Sequence, residues 1–463
     1  MKLHYYIVLL LFIVSFSSCQ KNKILQAPNI IFLLTDDQRA DALGVAGNDI
    51  IQTPNLDKLA NDGVRFLNAY VTTSICCVSR ASIFSGQYMR RHGIDNFSSS
   101  FSDESWTETY PALLKNGGYK TGFIGKFGVG KESEMPKQTF DYWRGFGGQG
   151  KYENEDDEGN FIHLTEKMGN QAIEFIQDFS GESPFCLSLS FKAPHCQDGD
   201  LRQFIFDPKF ENVLAETTIP EQLTNRDEIY ETFPAEWRKE NEARTRWEIR
   251  FSTPEKYQEM VKGYYRLIYG VDVVVGRIRG ELEKLGLAEN TVILLMGDNG
   301  FYLGEHGLAG KWYGHEESIR VPMLVYDPRN LNNGTVKEQM TLNIDIAPTI
   351  LELAGIEKPV KMQGESVINL IEGTAKNWRN EFFYEHFILK RGEVCIIPGS
   401  EGVVGKDFKY VRYMKEPGNY IYEEMFDRKG DKTELNNLVG SSGFYDLKTS
   451  LIQKTENYIE ELK

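Results

Sequence analysis

Four stretches of the chain are apolar at almost every position, and each ends on polar or turn-forming residues: Pro28 to Thr35, Pro184 to Phe191, Thr291 to Met296 and Val321 to Tyr326. A strand with one wet face alternates apolar and polar positions, whereas a continuous apolar run has both faces covered. The four runs therefore read as central strands of a sheet. Between them, apolar positions recur three and four apart over Asn55 to Asp62, Tyr110 to Asn116, Thr165 to Phe179 and Pro254 to Leu285, which predicts helices. Strands alternating with helices give an α/β fold: a large central, mostly parallel (mixed) sheet flanked by helices. Ligands of such sheets gather beyond the carboxyl ends of the strands.

After Gly373 the texture changes. Phe382 to Tyr384, Val394 to Ile397 and Tyr410 to Tyr413 are short strand-like pieces separated by turns, and a helix from about Tyr445 to Lys463 closes the chain. The expected organisation is a main domain over 28–372 and a small C-terminal α+β subdomain with an antiparallel sheet over 373–463.

At the other end, Lys2 and His4 precede an apolar run, Tyr5 to Phe16, too short to span a bilayer. Ser17-Ser18-Cys19 ends it and a polar tether follows over 20–27. Residues 1–19 resemble a bacterial lipoprotein signal, which implies a lipid anchor at Cys19. The expectation is an exported protein, in the periplasm or outer membrane of a Gram-negative bacterium, touching membrane only through that anchor.

A net charge of −15 argues against nucleic acid as a partner, because a phosphate backbone demands basic surface. An anionic substrate would need a metal or a local positive patch within this acidic body. Six cysteines at irregular spacings do not make a disulfide framework, and Cys186, inside a strand pattern, reads as a buried free thiol.

Two of the apolar runs close on acids: Asp36-Asp37 after the first, Asp298-Asn299 after the third. Carboxylate and amide oxygens suit a hard cation such as calcium, and adjacent carboxylates repel in a dry crevice unless a cation neutralises them. Cys76 and Arg80 add a thiol and a guanidinium. Gathered together, these groups make a metal site beside a nucleophile, able to attack a sulfate or phosphate ester.

The run Cys76-Cys77-Val78-Ser79-Arg80 through Ser85-Gly86 resembles the signature of type I sulfatases of the alkaline-phosphatase-like superfamily, in which the first cysteine becomes formylglycine. Val78 stands where proline is usual. Asp36-Asp37-Gln38, Gly297 to Gly300, Leu303 to Gly307, Gly310-Lys311-Trp312, Glu317 to Pro322 and Asp345 to Thr349 match further family text in order. The resemblance implies an alkaline-phosphatase-like fold and one Ca2+ held by Asp36, Asp37, Asp298, Asn299 and the formylglycine from Cys76. It assigns Arg80, Lys126, His195 and Lys311 to the sulfate and the leaving group. It also implies a formylglycine-generating maturation enzyme as a partner.

Gly125 to Gly130 almost spells a phosphate loop, but Glu132 stands where the hydroxyl should be and Pro136 disfavours the helix. Within the resemblance, Lys126 is the family's lysine and Gly128 replaces its histidine, which leaves the base for sulfate release unassigned. The expected substrates are sulfated saccharides of glycosaminoglycan or mucin type, 6-O-sulfated N-acetylglucosamine or sulfated galactosamine among them. The alternative is a phosphate or phosphonate monoester hydrolase of the same superfamily. Candidate specificity residues are Asp198, Asp200, Trp312, His315, His386, Ser400 and Glu401.

Overall fold

The computed structural model describes residues 27–462 except 182 and 331, so the expected export signal, Cys19 and all but the last residue of the expected tether lie outside the described residues. The central sheet has eight strands: β1 (Asn29–Asp36), β2 (Val64–Tyr70), β3 (Lys120–Lys126), β4 (Tyr142–Phe146), β5 (Phe185–Pro194), β6 (Thr291–Gly297), β7 (Met323–Tyr326) and β8 (Thr335–Leu342). Their spatial order is β8-β2-β7-β6-β1-β5-β3-β4. All run parallel except β7, which is antiparallel to both β2 and β6.

Alternation within each apolar run divides its side chains between two cores. Ile30, Phe32, Leu34, Val292, Leu294 and Met296 enter the core on one face. Ile31, Leu33, Ile293 and Leu295 enter the core on the other. That face is covered by α1 (Pro54–Asp62), α4 (Leu164–Asp178) and the long α5 (Pro254–Lys284). The opposite face carries α2 (Cys76–Ser85) and α3 (Tyr110–Asn116). The predicted helices thus form within a residue of their expected bounds. The fourth predicted strand starts later, at Met323, because Pro322 has no N–H to give a ladder.

The C-terminal sheet is antiparallel in the order β9 (Glu381–His386), β10 (Gly399–Gly405), β11 (Phe408–Glu416), β12 (Asn419–Asp427). Val394–Ile397 does not join it, but pairs with Leu389–Arg391 as a separate hairpin. Helix α6 (Tyr445–Glu461) contributes Leu451 to a cluster with Val403, Tyr410 and Met425. Phe382, Tyr384, Val404 and Tyr413 join the main core instead, so the sheet is seated on the large domain by apolar contact. Among the described residues no helix is long and apolar enough to cross a membrane.

Leu295, fully buried at the sheet centre, should cost about 3 kcal/mol when cut to alanine, from lost burial and the cavity left behind. Leu201, almost wholly exposed, should change stability by less than ~0.5 kcal/mol. Urea denaturation of Leu295→Ala and Leu201→Ala measures both.

Candidate active site

The register of the sheet brings the acidic motifs together. Thr35 pairs with Gly297, and Asp36 with Pro194, so Asp36-Asp37, Asp298-Asn299 and Lys192 to His195 all emerge at one edge. Lys126 ends β3 at the same edge. Helix α2, buried along its whole length, begins there with Cys76, and Arg80 follows one turn later on the same helical face.

Asp37 takes a left-handed backbone conformation (φ 66°), one that Asp tolerates better than most residues. Its N–H donates to Asp298 Oδ1 at 3.1 Å, and its carbonyl accepts from the Tyr264 hydroxyl at 2.7 Å. Asp37 Oδ1 accepts from Asn299 Nδ2 at 2.6 Å and from Lys311 Nζ. Asp36 Oδ2 accepts from Lys126 Nζ. Arg80 donates from Nε to Asp298 Oδ2 at 2.9 Å, and from Nη1 to the Lys126 carbonyl at 2.7 Å and to Ser190 Oγ. Its Nη2, 3.5 Å from Asp36 Oδ2, makes no hydrogen bond.

Three oxygens are left over. Asp36 Oδ1, Asp37 Oδ2 and Asn299 Oδ1 are buried with no hydrogen-bond donor. Ligand atoms of Asp36, Asp37 and His195 lie within 4.8 Å of one another. Buried oxygens without donors are rare, and converging carboxylate and amide oxygens are the donor set a hard cation takes. The residues present fit such an ion.

The electrostatics agree. Burial by itself would push the Asp36 carboxyl up, but Lys126, His195, Arg80 and Lys311 outweigh it and hold that carboxyl far below the usual carboxylate range. Asp298 goes the other way: burial and the charge of Asp36 push it up to about 7. Burial pushes the His195 imidazole down to about 3 against the pull of Asp37, whose Oδ2 lies 3.5 Å from Nε2. His195 Nδ1 lies 2.6 Å from the Cys196 carbonyl, to which it donates in the neutral ring, leaving the Nε2 lone pair toward Asp37. The Cys76 side chain lies within electrostatic reach of Arg80, Lys126 and Lys311.

The site therefore gathers Asp36, Asp37, Asp298, Asn299, Cys76, Arg80, Lys126, His195 and Lys311 from distant parts of the chain. The expected specificity residues are more scattered. His315 is buried between the Tyr302 hydroxyl (2.7 Å) and Glu424 (3.2 Å), a packed position rather than a cleft wall. Asp200 is tied to Arg202 at the surface. Asp198 holds Arg246 and Arg250, and Arg246 lies over the Trp312 ring at 5.1 Å. Glu401 is engaged by Arg90 and Arg412.

Sequence reasoning passed over Gln149, Ser190 and Tyr264. Gln149 Oε1 accepts from Lys126 Nζ at 2.7 Å. Its signal was the run Gly147-Gly148-Gln149-Gly150 just past a strand end, and that of Ser190 was a polar position inside an apolar strand. Gly128 also gains a physical account. It has φ 76°, and a Cβ there would stand 2.6 Å from Arg80 Cδ, so its space is filled by the arginine.

Buried oxygens converging beside three fixed cations, with a cysteine at a helix N-terminus, define an ester hydrolase for oxyanions. The family model named Sulfatase matches residues 28–356, and one for the C-terminal part of N-sulphoglucosamine sulphohydrolase matches 304–461. The chain belongs to the sulfatase family and is a sulfuric ester hydrolase. It is 28% identical to an N-acetylglucosamine-6-O-sulfatase of Bacteroides thetaiotaomicron, covering 94% of this chain and 87% of that one. It is 29% identical to an arylsulfatase of Clostridium perfringens, covering 93% and 94%. A solved structure of a protein in complex with its substrate D-glucosamine-2-N,6-O-disulfate superposes with a TM-score of 0.79 at 27% identity, covering 94% of this chain and 98% of that one.

Restoring the family's histidine should harm this enzyme. Gly128→His forces a side chain against Arg80 in a backbone conformation that favours glycine, so kcat/KM for a sulfate ester should fall at least ~10-fold and the melting temperature should drop with it. A gain in activity would contradict the packing described.

Proposed function

We propose that this chain is an exported sulfatase that removes sulfate from sulfated saccharides, through a formylglycine made from Cys76 and one calcium ion. The observation that carries this reading is the set of orphaned oxygens on Asp36, Asp37 and Asn299, walled by Arg80, Lys126 and Lys311 beside Cys76. The relatives support the saccharide: those named for N-acetylglucosamine-6-O-sulfate and glucosamine disulfate cover most of this chain, so 6-O-sulfated N-acetylglucosamine heads the substrates. The export signal and Cys19 support a lipid-anchored protein outside the cytoplasm, with a maturation enzyme acting on Cys76.

Calcium would be held by Asp36, Asp37, Asp298 and Asn299 together with the formylglycine from Cys76. When bound it supplies positive charge against the sulfate oxygens, and the formylglycine supplies, as its hydrate, an oxygen nucleophile. The chain's own residues do the rest. Arg80 offers its unpartnered Nη2–H to a sulfate oxygen while Nε and Nη1 stay fixed on Asp298, Ser190 and the Lys126 carbonyl. Lys126 and Lys311 bring two further buried ammonium groups, and charge developing on the sulfate is spread over all three cations. Water is largely excluded, since each of these side chains is almost fully buried. His195 is oriented by the Cys196 carbonyl, and the negative charge of a bound sulfate ester favours its imidazolium, the reverse of burial. Nε2–H then donates to the departing alcohol oxygen, with Lys311 as the second donor.

Cys76→Ala should lower turnover more than ~1000-fold with the fold kept, and the Cys76 peptide of active protein should be lighter than its unmodified form by mass spectrometry. Full activity in that variant would end the mechanism. Exhaustive chelation should abolish hydrolysis and added Ca2+ should restore it; activity indifferent to both would remove the metal. Sulfate and phosphate esters assayed side by side should give higher kcat/KM for the sulfate.

A further inference from the structure

Where β9 and β10 face the segment that follows α2, a cavity of about 520 Å3 opens, with Arg90, His386, Ser400, Glu401, Arg412 and Tyr420 in its wall. His386 and Ser400 are directly paired across β9 and β10, which puts both side chains on one face of the sheet. Their relative exposures are 3% and 2%, yet neither His386 Nε2 nor Ser400 Oγ has a hydrogen-bond partner. The Tyr384 hydroxyl gives its own proton to the Trp312 carbonyl at 2.7 Å and lies within reach of the Ser400 hydroxyl and the Ser74 backbone. Two adjacent buried polar atoms without partners are uncommon in a folded protein, and a ligand is one reason to keep them.

The wall limits what that ligand is. Arg90 is committed to Glu385 (2.6 Å) and Glu401 (2.7 Å), and Arg412 and Tyr420 to Glu401 as well. Its cations are therefore spent on its own carboxylates, leaving none for a second sulfate. His386 Nδ1 lies 2.6 Å from the Phe387 carbonyl, to which it donates in the neutral ring, so Nε2 presents a lone pair. Burial also pushes that ring down to about 4, which keeps it uncharged at neutral pH. An acceptor beside a hydroxyl that both gives and takes matches the hydroxyl groups of a neutral polyol.

The cavity is also tied to the reacting centre. Tyr384, on the same strand face as His386, anchors the carbonyl of Trp312, the residue after Lys311. The Glu385 N–H donates to the Thr72 carbonyl at 3.0 Å, four residues before Cys76. Resting on the saccharide reading above, we propose that His386 and Ser400 bind ring hydroxyls of the sugar that carries the sulfate, and so set which sulfated sugar is accepted.

The test compares His386→Phe and Ser400→Ala with the wild type on 6-O-sulfated N-acetylglucosamine, 6-O-sulfated N-acetylgalactosamine and 4-nitrophenyl sulfate, which has no ring hydroxyls. On the better sugar each variant should raise KM ~10-fold or more with kcat within ~3-fold, while kcat/KM for the aryl ester stays within ~2-fold. An equal loss on sugar and aryl ester, or no loss on either, overturns the proposal. Should the phenylalanine variant melt early, His386→Gln with Ser400→Ala gives the same comparison. A wild type that cleaves the aryl ester but no sulfated sugar would remove the saccharide reading and this proposal together. A wild type active on sugar whose variants show no split removes the proposal alone.

Discussion

Everything at the strand ends is arranged around one constraint: three carboxylates, Asp36, Asp37 and Asp298, are buried within contact of one another or of shared cations. In a medium of low polarity like charges at such range repel strongly. Arg80, Lys126 and Lys311 answer them one for one, so the cluster is close to neutral as folded. Burial, with the charge of Asp36 behind it, still raises the proton affinity of Asp298 into the neutral range. A divalent cation added to this set leaves an excess of positive charge facing Cys76, and an anionic ester is what that excess attracts.

Such a cluster needs rigid placement, and packing provides it. Arg80 projects from a helix buried on every side and is clamped by the Lys126 carbonyl and Ser190. Close approach of backbones makes the clamp possible: Gly125 has φ 98°, and a Cβ there would stand 2.1 Å from the Ser190 carbonyl. Gly128 makes room for the arginine stem in the same way. Arg80 is thus fixed by uncharged neighbours as well as by Asp298.

Much of this was legible in the residues. Continuous apolar runs announced two-faced strands, and acids at their ends announced the site, because a buried sheet leaves carboxylates nowhere else to gather. The reversal of β7 was not legible, since an apolar run carries no sign of direction. Val394 to Ile397 had the composition of a sheet strand yet pairs locally, because a two-residue turn at Gly392-Glu393 lets it fold back on Leu389–Arg391. His315 reads as a cleft residue beside an acidic pair, but its burial depends on Tyr302 and Glu424, the latter more than a hundred positions away. Gln149 was marked only by its glycine-rich run past a strand end, which does not say what it meets; the fold aims it at Lys126.

The long reach of these contacts has a consequence for how the protein comes into being. Asp37 meets Asp298 across 261 positions and Lys311 across 274. An N-terminal fragment carrying the first acids and the cysteine has none of the later partners, so a growing chain has no working centre until its third quarter has been made. A product truncated before β6 lacks Asp298, Asn299 and Lys311 alike, and so cannot complete the site.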